Sequence, residues 1–177
     1  MAKVSIATVW LDGCSGCHMS FLDLDERLLI VADKIDLVYS PLVDFKDYPE
    51  MVDIALVEGA VASEEDLHKI QKIRAHTKTL IAFGDCAVTA NVPSMRNLVG
   101  KKAVLQHAYF ELATLDPQVP NVVVPPLLDR VRPVHDVVKV DIFLPGCPPS
   151  ADTIFAALVE LLEGRIPDVP ALTRFGK

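Results

Sequence analysis

No stretch of this sequence stays apolar for the roughly 18 residues that a membrane-spanning helix requires, because charge interrupts even its most apolar runs within about ten positions. Membrane insertion is therefore not expected. The sequence also lacks a basic n-region, a small-residue cleavage site and a twin-arginine pair; Met1-Ala2-Lys3-Val4 leads straight into a strand pattern, so the expected location is cytoplasmic. No basic cluster stands out. With 17 Lys plus Arg against 24 Asp plus Glu, the net charge of −7 would repel a phosphate backbone, which argues against nucleic acid as a partner. Repeats, low-complexity segments and linkers are missing too, and 177 residues are expected to form a single domain, 1–177. Cysteine is scarce: the four thiols Cys14, Cys17, Cys86 and Cys147 point, in a reducing compartment, to metal ligation or redox chemistry rather than to structural disulfides.

What the chain does have is apolar material. At 51% hydrophobic and 23% charged residues, it can bury enough surface to offset the entropy of ordering. Short β-branched runs alternate with segments of helical period, the pattern of a parallel sheet covered on both faces. Strands are expected over 4–11, 35–39, 53–59, 79–83 and 138–144. Helices are expected over 20–30, from Ser63 to about His76 with Ser63 and Asp66 as a capping box, and from Ser150 to about Leu162. Between Pro93 and Pro133, six prolines argue for a long irregular excursion before the last strand, with one short helix near 101–113. The tail after Pro167 reads as irregular. The sum is an α/β, flavodoxin-like doubly wound sheet of order 2-1-3-4-5, whose sites lie outside the carboxyl ends of the strands.

The cysteines obey that rule. Cys14 and Cys17 follow the first strand, Cys86 the fourth and Cys147 the fifth, while Glu58 closes the third. Four unrelated core thiols would sit inside strands, whereas these sit at loop positions flanked by Gly or Pro. A structural zinc site usually draws on two CxxC knuckles, and only one exists here. A thioredoxin-type dithiol at Cys14-Ser15-Gly16-Cys17 would leave Cys86 and Cys147 without a role. Cys14-Ser15-Gly16-Cys17-His18 matches the c-type haem string, but it occupies a strand-to-helix turn in a chain without an export signal, so His18 is read as a local hydrogen-bond donor. A [4Fe–4S] cluster uses all four thiolates and tolerates their wide separation. His68, His76, His107 and His135 read as ordinary polar residues.

Taken together, Cys14-x-x-Cys17, Glu58-Gly59, Gly84-x-Cys86 and Pro145-Gly146-Cys147-Pro148-Pro149 resemble the small, electron-transfer subunit of [NiFe] hydrogenases. The run Cys14-Ser15-Gly16-Cys17-His18-Met19-Ser20, with Leu22-Asp23-Leu24-Asp25-Glu26, is most similar to the soluble NAD-reducing (bidirectional) branch. The related small subunit of respiratory complex I typically opens its site with adjacent cysteines, so the CxxC here favours the hydrogenase side. The resemblance implies one proximal [4Fe–4S] cluster on Cys14, Cys17, Cys86 and Cys147, next to a nickel–iron centre that belongs to a separate large subunit. Longer small subunits carry two further clusters, for which this sequence has neither the length nor the cysteines. Electrons would pass to a diaphorase module holding FMN and the NAD site; FMN is not expected on this chain, because the loop after the first strand carries thiols instead of a phosphate-binding run. Glu58 is implied to face the large subunit and relay protons, with a helix-capping role as the alternative. A related hydrogenase using another carrier, and a stand-alone iron–sulfur protein, are the competing readings.

Overall fold

The run Ile54-Ala55-Leu56-Val57 is apolar and buried at every position, which suits a strand covered on both faces, and it becomes the centre of the sheet. The computed structural model describes residues 3–173. Its elements are β1 (Val4–Trp10), α1 (Gly16–Leu22), α2 (Arg27–Ala32), β2 (Ile35–Tyr39), β3 (Val52–Glu58), β4 (Val61–Ser63), α3 (Glu64–Ala75), β5 (Thr77–Phe83), α4 (Asp85–Thr89), α5 (Lys101–Gln106), β6 (Leu127–Arg132), β7 (Ile142–Leu144), α6 (Ala151–Leu162) and α7 (Val169–Leu172). The parallel sheet runs β2-β1-β3-β5-β7. This is the expected 2-1-3-4-5 order, with β5 and β7 as its fourth and fifth members.

Alternate residues of the strands feed two cores. Ile6, Leu56, Ile81 and Phe83 pack with Phe21 of α1 and with Ile154 and Leu158 of α6. Ala7, Val9, Val57 and Leu80 pack on the other face with Ile70 and Ile73 of α3 and Ala87 of α4. The capping box is formed: Ser63 Oγ accepts from Asp66 N at 3.1 Å, and Asp66 Oδ2 accepts from Ser63 N at 2.9 Å. Such caps are worth about 1 kcal/mol each.

Several boundaries differ from the sequence reading. The helix expected over 20–30 is two helices, because Asp25 takes a left-handed φ of 48° between them. The fifth strand covers only Ile142–Leu144, since one residue earlier the Asp141 carboxylate takes the N–H of Leu80 at 2.9 Å. The excursion is less irregular than expected. Prolines bracket Leu127–Arg132 without interrupting it, and this β6 pairs antiparallel with β4 in a small second sheet. The short helix expected near 101–113 is α5, continued by a wide turn over His107–Glu111. Beyond Pro167 the chain forms the short α7; the rest of that tail, residues 174–177, lies outside the described residues, as do Met1 and Ala2. No helix among the described residues is long and apolar enough to cross a membrane.

Candidate metal centre

Parallel strands deliver their following loops to one rim, and here those loops are stitched together by backbone. Leu11 N donates to Glu58 O at 2.9 Å, while Asp12 and Ala60 exchange both of their hydrogen bonds at 3.1 and 2.7 Å. The approach is so close that a Cβ on Gly59, at φ +93°, would lie 2.8 Å from the carbonyl carbon of Leu11. On the far side, Gly84 N donates to Leu144 O at 2.8 Å, Asp85 N to Gly146 O at 2.9 Å, and Gly146 N to the Asp85 carboxylate at 2.8 Å. Ser20 Oγ of α1 donates to Pro149 O at 2.5 Å, so the loops carrying Cys17, Cys86 and Cys147 form one unit.

The four thiols are free and graded in exposure: Cys17 is buried, Cys86 intermediate, and Cys14 and Cys147 exposed. Gly84 makes room for the innermost. At φ +83° it adopts a conformation that suits glycine, and a Cβ there would lie 2.1 Å from Cys17 Sγ. Burial, then Glu58, then the other three cysteines push the Cys17 thiol far above its ordinary range. Burial, then Cys14 and Cys147, push Cys86 up to about 11, against a backbone hydrogen bond from Val92 that pulls it down. The two inner thiols thus feel the outer pair. Four thiolates and a carboxylate at this rim repel one another, and only a positively charged group among them would let all four ionise. Among the described residues, no three Cys, His, Asp or Glu side chains converge on a single-ion site. Thiols spread around a common space can instead each take a separate metal of a polynuclear core.

Glu58 ends β3 on the same rim, but its carboxylate turns inward. Only 1% exposed, it accepts from His18 N at 3.0 Å and Cys17 N at 3.4 Å, and it also contacts the His18 ring through Nδ1. The first turn of α1 has unpaired N–H groups, and Glu58 is the acceptor that takes them. His18, equally buried, is a local hydrogen-bond donor as expected, and its Nε2 has no partner among the described residues. The other histidines make ordinary contacts. His76 Nδ1 meets Glu50 O at 2.7 Å, His107 pairs with Glu111 at 2.8 Å, His135 lies edge-on to Phe143, and His68 sits exposed on α3.

Three contributors escaped the sequence reading. Asp85 ties the Cys86 and Cys147 loops together, and its place between Gly84 and Cys86 was the available clue. Trp10 braces the first loop by donating Nε1–H to Gly13 O at 3.1 Å. Asn91 donates from Nδ2 to Cys147 Sγ at 3.6 Å, across 56 residues of sequence that give no hint of the contact. Met19, two residues after Cys17, and Val92, whose backbone serves Cys86, leave apolar side chains exposed, as do Met95 and Leu98 in the segment after Val92, Leu98 at 89%.

The family described as "NADH ubiquinone oxidoreductase, 20 Kd subunit" matches residues 14–161. The delta subunit of the NAD-reducing hydrogenase HoxS of Cupriavidus necator is 44% identical over 174 residues, covering 96% of this chain and 83% of that protein. One subunit of the F420-non-reducing hydrogenase vhu of Methanocaldococcus jannaschii is 40% identical over 169 residues, but this chain spans only 59% of its length. In the crystal structure of an NAD+-reducing [NiFe]-hydrogenase in the H2-reduced state, one chain superposes with a TM-score of 0.93 at 40% identity, covering 98% of this chain and 99% of that one. A [NiFeSe]-hydrogenase of Dm. baculatum, at 18% identity and a TM-score of 0.60, shares the fold.

Proposed function

The chain belongs to the family of the 20 Kd subunit of NADH ubiquinone oxidoreductase and, within it, to the hydrogenase small subunits; from that premise we propose that it is the electron relay of an NAD-reducing [NiFe] hydrogenase. One [4Fe–4S] cluster on Cys14, Cys17, Cys86 and Cys147 is the carrier, and when bound it supplies one-electron transfer. The gathering of all four thiols at the carboxyl ends of β1, β5 and β7, within electrostatic reach of one another, is the observation that carries this reading.

The residues divide the work. Cys17 and Cys86 hold the inner side, where burial excludes water, and Cys14 and Cys147 hold the exposed side. Glu58 anchors the first turn of α1 and so fixes the Cys17 backbone, a geometry that supports anchoring over proton relay. Hydrogen chemistry belongs to the nickel–iron centre of a large subunit, and FMN and NAD to diaphorase subunits, in a complex we assign to the cytoplasm. Exposed apolar residues such as Met19 and Val92 suit burial against such partners. A second reading, a small subunit serving another electron carrier, draws support from the 40% identity to the vhu protein of an F420-non-reducing hydrogenase.

Anaerobic iron and sulfide assays on the purified complex test the proposal. About four of each are expected per chain beyond those of the partner subunits, and Cys86→Ser should remove or convert that set. The isolated chain should neither bind nickel nor oxidise hydrogen. Hydrogen oxidation by this polypeptide alone would overturn the assignment.

A further inference from the structure

The loop after α4 makes an abrupt turn. Ala90 is buried at φ 61°, and Asn91 follows at φ 16°, ψ −120°. The Asn91 carbonyl is pinned there by Ser94, which donates its hydroxyl at 2.8 Å and its N–H at 3.2 Å. This fixed turn presents two donors to two different thiols. The backbone N–H of Val92 serves Cys86, and the Asn91 side-chain amide donates to Cys147 Sγ at 3.6 Å. Gly16 N serves Cys14 at 3.4 Å through its own loop. Of these N–H to sulfur contacts, the Asn91 contact is the one made by a side chain, and therefore the one that a substitution can remove while leaving the backbone in place.

We infer that Asn91 is a positioning residue that tunes the reduction potential of the cluster through Cys147. The inference rests on the proposed cluster ligation by Cys147. A metal-bound thiolate carries no proton and can only accept, so it orients the amide with Nδ2–H toward sulfur. An added electron raises the negative charge on the ligand sulfurs, and an N–H donor stabilises that more negative state more than the oxidised one. Asn91 thereby raises the potential and eases reduction. It touches neither iron nor substrate, and its effect passes through one ligand.

The test is a redox titration of the cluster, followed by electron paramagnetic resonance, in the purified complex carrying wild-type chain, Asn91→Ala or Asn91→Asp. Iron and sulfide are measured on each sample. Asn91→Ala removes the donor and is expected to shift the reduction equilibrium toward the oxidised form by up to about tenfold, or 59 mV for a one-electron couple. Asn91→Asp keeps the side-chain shape but replaces the donor with a charged acceptor, so its shift is expected in the same direction and larger. Full iron content in both variants with unmoved potentials would overturn the role of Asn91 alone. Loss of iron from both variants would also overturn it, by assigning Asn91 to loop folding. A wild-type complex without iron–sulfur on this chain would instead remove the cluster reading, and the tuning role with it.

Discussion

The two ends of the central sheet handle charge in opposite ways. At the amino end, two carboxylates find cations within the chain: Asp53 accepts from Ser5 N at 2.9 Å and Lys78 Nζ at 2.7 Å, and Asp141 from Leu80 N at 2.9 Å and Arg74 Nη1 at 2.6 Å. At the carboxyl end, burial together with Glu58 and the neighbouring cysteines raises the cost of ionising Cys17 and Cys86. A self-neutralised end is structural. An end that gathers like charges and uses left-handed glycines for close approach suits the proposed cluster.

If the carboxyl end depends on that cluster, changes there should cost far more than changes at the amino end. The largest effect is expected from Cys86→Ser or Cys147→Ser, because a hydroxyl is a harder and less acidic ligand than a thiol. Cluster spectra identical to wild type in both would break the contrast. Next comes Gly84→Ala. Its Cβ would meet Cys17 Sγ at 2.1 Å on a φ of +83°, so most of the bound iron should be lost and stability should fall by about 1–3 kcal/mol, as read by iron content and chemical denaturation.

Glu58→Gln should act through folding. One carboxylate currently takes two N–H groups and the His18 ring, and a neutral amide satisfies them less well, at a cost of about 1–3 kcal/mol. Hydrogen–deuterium exchange activity per cluster should hold at the wild-type level. A fall in exchange with stability unchanged would instead favour the proton-relay role expected of Glu58 from sequence.

The smallest effect is expected at the amino end. Lys78 and Ser5 lower the Asp53 carboxyl from 3.8 to about 2, so the folded state favours its ionised form. That contribution is complete above the unfolded pKa and fades as pH falls from about 4 toward about 2. Because the pair is partly solvent-exposed, Asp53→Asn should cost less than about 1 kcal/mol and flatten the stability profile in that window. A drop as large as that of Gly84→Ala would remove the distinction between the ends.

How legible this was from sequence depended on range. The sheet order, the Ser63–Asp66 capping box and the α6 cap at Ser150 are local patterns, and each appears in the structure. The cysteines could be assigned to one rim because strand ends are local and topology does the rest. What was hidden depended on contacts between distant residues. β6 is a strand because β4 pairs with it, β7 is shortened by the Asp141 side chain, and the inward turn of Glu58 depends on where α1 begins. The contact between Asn91 and Cys147 belongs to the same class, since nothing next to either residue encodes the other.

The most direct test of the central claim is electron paramagnetic resonance of the dithionite-reduced complex, prepared anaerobically with wild-type or Cys86→Ser chain and paired with iron and sulfide counts. The account predicts a one-electron [4Fe–4S] signal with about four irons and four sulfides attributable to this chain, lost or converted in the variant. Zinc as its only bound metal, or a signal unchanged by Cys86→Ser, would contradict it.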